Sequence, residues 1–99
     1  MTIEKIQNGK ELTLRISGRL DTSTAPQLES VVSNELSGVE KLILDCESLE
    51  YISSAGLRVL LSAQKTMNNQ GEMVIRNVKP EIMEIFEVTG FVDILTIKE

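Results

Sequence analysis

Lys41-Leu42-Ile43-Leu44-Asp45-Cys46, followed after a short gap by Tyr51-Ile52-Ser53-Ser54-Ala55-Gly56-Leu57, is the stretch on which the fold turns. A short continuous apolar run bounded by polar residues reads as a central strand covered on both faces. Beyond the hydroxyl-rich segment the spacing changes. Leu57, Leu60, Leu61 and Met67 fall on one face of a helix, which Asn68-Asn69-Gln70-Gly71 ends. A buried strand feeding a helix is the repeating unit of an α/β domain.

The flanks extend that unit in both directions. Toward the N-terminus, Ile3 to Ile6 forms a short strand, and Asn8-Gly9 suits a hairpin turn that needs positive φ. Leu12, Leu14 and Ile16 then alternate with Thr13, Arg15 and Ser17 as a half-buried antiparallel strand. Thr24-Ala25-Pro26-Gln27 reads as a capping box with Pro in the first turn. Leu28, Val31, Val32 and Leu36 make the buried stripe of that helix, and Gly38 terminates it. Toward the C-terminus, Met73-Val74-Ile75 is another buried strand. Pro80 opens a third helix with Ile82, Met83 and Phe86 inward and Gly90 past its end. Val92 to Ile97 closes the chain as a last strand, burying Ile94 and Leu95. The expected order is β-β-α-β-α-β-α-β over one domain, residues 1–99. That is an α/β class with a mixed β-sheet, an N-terminal hairpin, right-handed crossovers and helices packed on the sheet.

Composition narrows the function. Ninety-nine residues suffice for one core but not two. The net charge of −5 argues against nucleic acid, whose phosphates call for Lys and Arg, and against anionic lipid surfaces. The one cysteine, Cys46, permits no intramolecular disulfide and points to a reducing compartment. No apolar run approaches the ~18 residues of a membrane span. The start Met1-Thr2-Ile3-Glu4-Lys5 has neither a signal pattern nor a myristoylation glycine. The expectation is a cytoplasmic protein with no direct membrane insertion. Histidine is absent, which removes the commonest general base and metal ligand. No catalytic residue, metal or cofactor is expected.

Function in α/β proteins gathers on loops that leave strand carboxyl ends and enter helices. Two such loops exist here, Asp21-Thr22-Ser23-Thr24 and Tyr51-Ile52-Ser53-Ser54-Ala55-Gly56, each rich in hydroxyls. A serine at a helix start either caps the free N–H groups or carries a phosphate that they stabilise. Ala55 and Gly56 leave such a hydroxyl open to a kinase or a partner backbone.

The wording of the second loop resembles the phosphorylation motif D-S-[ST]-G-L of anti-sigma factor antagonists, members of the STAS family. Here it stands as Ser53-Ser54-Ala55-Gly56-Leu57. The likeness extends along the chain. Gly18-Arg19-Leu20-Asp21 is similar to the family's G-x-[LI]-D, Leu42-Ile43-Leu44-Asp45 to its central strand, Gly71-Glu72-Met73 to its next turn, and Phe86-Glu87-Val88-Thr89-Gly90-Phe91 to its final helix end. The resemblance implies a partner switch. Unmodified, such a protein binds an anti-sigma factor of the serine-kinase type and so frees a sigma factor. The partner phosphorylates the serine and ends the contact, and a serine phosphatase restores it. Carried over by position, the acceptor is Ser54, with Ser53 the alternative. Asp21 matches the acidic residue of the neighbouring loop, and the implied partner surface is Asp21, Thr22, Ser23, Ser53, Ser54, Ala55, Gly56, Leu57 and Arg58. Two positions depart from the family, Ser53 for its Asp and Ala55 for its second hydroxyl.

A second reading keeps the fold and changes the task, to a STAS subunit of a phospholipid ABC-type transporter or of a sensory scaffold, binding without phosphorylation. A small enzyme with Ser54 as nucleophile lacks a group to activate the hydroxyl. Elsewhere the residues read as structure. Cys46 and Met67, Met73 and Met83 belong to the core, and Glu81, Glu84 and Glu87 to a solvated helix face. Asp45 lines the site or caps a turn, and Lys5, Lys10, Arg15 and Arg19 show no clustering.

Overall fold

The computed structural model describes residues 1–98. Strands β1 (Thr2–Asn8) and β2 (Glu11–Leu20) form the hairpin, antiparallel from Thr2 opposite Ser17 to Asn8 opposite Glu11. Asn8 is the last paired residue. The turn is therefore Gly9-Lys10, one position beyond the expected dipeptide, with Gly9 supplying the positive φ of 66°. Helix α1 (Ala25–Glu35), β3 (Lys41–Asp45), β4 (Leu49–Ile52), α2 (Ser54–Asn68), β5 (Glu72–Arg76), α3 (Pro80–Val88) and β6 (Ile97–Lys98) follow. The sheet runs β1-β2-β3-β5-β6, and β4 pairs with β2 off that path. All pairings after the hairpin are parallel.

The α/β architecture and the strand–helix alternation stand as expected, with one strand added. Strand β4 has only Leu49 and Ile52 buried, around exposed Glu50 and Tyr51, so no period-2 pattern announces it. Its partner is the far end of β2. From Glu11 to Arg15, β2 pairs with β3; beyond Gly18, whose φ is 92°, the register shifts and β2 runs alongside β4. A residue of that backbone shape is costly for anything but glycine, and it bends the strand.

Leu12, Leu14 and Ile16 of β2, Leu42 and Leu44 of β3, and Met73 and Ile75 of β5 point to one face. There they form a single cluster with Leu28, Val32, Leu57, Leu60, Met67, Ile82 and Phe86 of the helices. Ile43 and Val74 alternate to the other face and stand outside that cluster, yet are buried. The register sets them between the cross-strand ion pairs Lys41–Glu72 and Arg15–Asp45, whose long side chains flank them. Val31, Leu61 and Met83 are half-buried at the margins of their stripes.

Two local readings are corrected. Val92 to Ile97 is not a strand: Gly90 takes the left-handed conformation, and Phe91–Asp93 form a 3₁₀ turn. There the Ile94 and Leu95 N–H groups donate to the Phe91 carbonyl. Leu95 is buried, Ile94 is exposed, and only Ile97–Lys98 pair with β5. The capping box at Thr24 is also absent. Thr24 precedes α1 but makes no side-chain cap, for a reason that lies in the loop before it. No helix among the described residues is long and apolar enough to cross a membrane.

Candidate functional site

Strands β2 and β4 are parallel neighbours, so the loops leaving Leu20 and Ile52 emerge side by side at the carboxyl edge of the sheet. The Ser53 N–H donates to the Leu20 carbonyl at 2.9 Å and locks the two loop starts together. Asp21–Thr24 and Ser53–Gly56, separated by some thirty residues of chain, become one surface.

The first loop is organised around Asp21. Its Oδ1 accepts from the Ser23 N–H at 3.0 Å, the Ser23 hydroxyl at 2.7 Å and the Thr24 N–H at 3.2 Å. Its main-chain carbonyl takes the Ala25 N–H. Thr24 Oγ1 accepts from the Asp21 N–H and donates to the Arg19 carbonyl, both at 2.8 Å, so it faces back into the loop and cannot cap α1. The Ser23 hydroxyl above all, with the Ser23 and Thr24 N–H groups, holds the Asp21 carboxyl below its ordinary pKa, against the opposing effect of desolvation. Oδ2 faces Arg19 Nε at 3.7 Å, and the Arg19 guanidinium lies 4.3 Å above the Tyr51 ring. Asp21 is therefore engaged within its own loop, while Thr22 and Ser23 are exposed.

In the second loop the two serines divide the roles that sequence left open. Ser53, with extended backbone, is the N-cap of α2: its Oγ accepts from the Gly56 N–H at 3.4 Å and its carbonyl from Leu57 N–H. Ser54 is the first helical residue and is exposed, and its hydroxyl has no hydrogen-bond partner among the described residues. Gly56 does not open the site as its size alone implied. It is buried, and a Cβ there would lie 2.7 Å from Leu20 Cγ and 2.9 Å from Ile52 Cγ1. Gly56 lets α2 seat directly on the ends of β2 and β4. Leu57 is likewise buried. These two residues position the surface rather than form it.

Thr22, Ala55 and Arg58 meet across an open groove of about 310 Å³ between α1 and α2, completed by Ala25, Pro26, Glu29, Val59 and Ser62. The sequence reading missed the α1 side of this groove, which only the packing of two helices reveals. It missed the Arg19–Tyr51 stack too, although Arg19 sits two residues before Asp21 and Tyr51 two before Ser53. Asp45 lies elsewhere and caps a turn, accepting from the Glu47 N–H and the Asn77 amide. Cys46 is buried, and burial pushes its thiol up to about 12.

Residues 2–99 match the STAS domain family. The chain is 36% identical over 99 residues to BtrV of Bordetella bronchiseptica, covering 98% of this chain and 84% of that one. It is 30% identical to the anti-sigma-B factor antagonist of Staphylococcus aureus over 101 residues, covering 100% and 94%. In three dimensions it resembles the anti-sigma factor antagonist SpoIIAA of Bacillus. The TM-score is 0.78 to its unphosphorylated form, at 17% identity, over 99% of this chain and 88% of that one. A phosphorylated form of SpoIIAA superposes with a TM-score of 0.77 at 18% identity, covering 99% and 92%.

Proposed function

This chain belongs to the STAS domain family, and we propose on that premise that it is an anti-sigma factor antagonist governed by phosphorylation of Ser54. Unmodified, it binds an anti-sigma factor of the serine-kinase type in the cytoplasm and so releases a sigma factor. The partner transfers phosphate to Ser54, the complex parts, and a serine phosphatase resets it. The protein itself catalyses nothing, and residues 1–99 work as one domain.

One observation carries the assignment of Ser54. The capping role at this helix start belongs to Ser53, which leaves the Ser54 hydroxyl exposed and, among the described residues, unengaged. The names of the Staphylococcus aureus relative and of SpoIIAA, the latter known in both phosphorylation states, support the same reading. The partner surface is Thr22, Ser23, Ser53, Ser54, Ala55 and Arg58, with Asp21 holding the first loop in shape.

The switch needs no refolding. A phosphate brings roughly −1.5 to −2 charges at neutral pH. Placed in a contact shaped for a neutral hydroxyl, it meets desolvation and the neighbouring Asp21 carboxylate. A mismatch of several kcal/mol is ordinary for such a change, and each ~1.4 kcal/mol weakens binding tenfold. Titration of wild type and Ser54→Asp against the anti-sigma kinases of the same genome tests this. The wild type binds one of them, and the variant binds it at least about tenfold more weakly. Equal binding by both would overturn the phosphorylation switch. Ser53 in place of the family Asp supports a second reading, a scaffold or transporter subunit. It predicts a membrane permease partner that ignores Ser54→Asp.

A further inference from the structure

Arg58 lies four residues after Ser54 on α2, where neighbouring turns bring side chains ~5–6 Å apart at Cβ. Both residues are exposed. Arg19 faces Asp21, and Lys5, Lys10, Arg15 and Lys41 each face a carboxylate, whereas Arg58, like Lys65, Arg76, Lys79 and Lys98, faces none among the described residues; of these five, Arg58 is the one placed a single helical turn from Ser54. Glu29 lines the same groove from α1 and makes no ion pair with it. The first turn of α2 contains no acidic residue either. A cation this near a helix start gains nothing from the helix dipole. A phosphate on Ser54 would set an anion one turn away from it on the same helix.

We infer that once Ser54 is phosphorylated, the Arg58 guanidinium holds the phosphate from one turn further along the same helix. The inference rests on the assignment of Ser54 as acceptor. An anion N-terminal to a cation at this spacing is the favourable orientation, and a guanidinium offers paired N–H donors that match two phosphate oxygens. The other charges around this corner are Asp21 and Glu29, which oppose the phosphate, and Arg19, which is engaged with Asp21 and Tyr51. Phosphorylation thereby adds negative charge and also withdraws the one cation of the α1–α2 groove, leaving Glu29 as its charged residue. A partner carboxylate seated against Arg58 would lose its counter-ion in the same event.

The test uses the full chain with phosphoserine incorporated at position 54 during synthesis, so no kinase is needed. The second ionisation of the phosphate is followed by phosphorus NMR in wild type, Arg58→Ala and Arg58→Lys. It is expected about half a pH unit lower in wild type than in Arg58→Ala, with Arg58→Lys between them, and the gap should close in 1 M salt. Identical titrations in all three proteins, or a gap that salt leaves unchanged, would overturn the clamp. Arg58 is exposed on a helix and alanine is a better helix former, so the variant keeps its fold. Failure of every kinase to modify Ser54 would count against the earlier assignment and leave this titration standing.

Discussion

Replacing Gly56 by alanine should destabilise the domain although alanine is the better helix former. The added methyl would sit 2.7 Å from Leu20 Cγ, 2.9 Å from Ile52 Cγ1 and 3.1 Å from Leu20 Cδ2. Both neighbours are core side chains, Leu20 fully buried and Ile52 2% exposed, and Leu20 Cγ is a branch point rather than a flexible tip. Overpacking of this kind costs about 1–3 kcal/mol, and two contacts below 3.0 Å place it in the upper half of that range. Alanine over glycine returns at most about 1 kcal/mol at a helical position. The net loss is about 1–2 kcal/mol, which at about 4–8 °C per kcal/mol lowers Tm by about 5–15 °C in a domain of this size. Urea and thermal unfolding followed by circular dichroism read this directly. Gly71→Ala serves as the comparison and should cost more, because its Cβ would collide with the main-chain carbonyl of Glu40, which cannot step aside. A Gly56→Ala protein as stable as wild type would refute the claim that α2 is seated by close approach to β2 and β4.

Three further outcomes follow from the same geometry. Ser53→Ala removes a cap bond already long at 3.4 Å, so the loss of stability should be about 0.5 kcal/mol, at the low end for caps; a loss above about 2 kcal/mol would show that Ser53 does more than cap. Asp21 has a depressed pKa, so its contribution to stability is present above its unfolded pKa and is lost as pH falls through the lower folded value. The difference in urea midpoint between wild type and Asp21→Asn should therefore be steady near neutrality and shrink below about pH 4, whereas a constant difference would place the carboxylate's role elsewhere. Cys46, buried with its thiol pushed up to about 12, should resist iodoacetamide at pH 8 until urea unfolds the chain; rapid labelling of the native protein would contradict its place in the core.

Strong periodicities carried most of the fold. The alternation in β2, the apolar run of β3 and the stripe of α2 each satisfy one rule, and the structure keeps all three. The elements that sequence concealed depend on partners distant in the chain. Strand β4 is defined by its pairing with β2 beyond the bend at Gly18, not by its own four residues. The last strand shrank because Gly90 starts a 3₁₀ turn that local β-propensity does not anticipate. At the site, residue types were legible and their division of labour was not. Threonine before a helix resembles a cap, but Thr24 answers to Asp21 and Arg19, and the cap that does form is that of Ser53. Gly56 looked permissive on size alone, and its function is to bring a helix close to two strand ends.

Incubation with a cognate anti-sigma kinase and ATP, followed by mapping of the phosphate by mass spectrometry, tests the central claim most directly. The account predicts one phosphate, on Ser54, absent from Ser54→Ala and retained in Ser53→Ala, with loss of kinase binding once it is installed. A phosphate on Ser53, or stable capture of the kinase with no transfer to either serine, would contradict it.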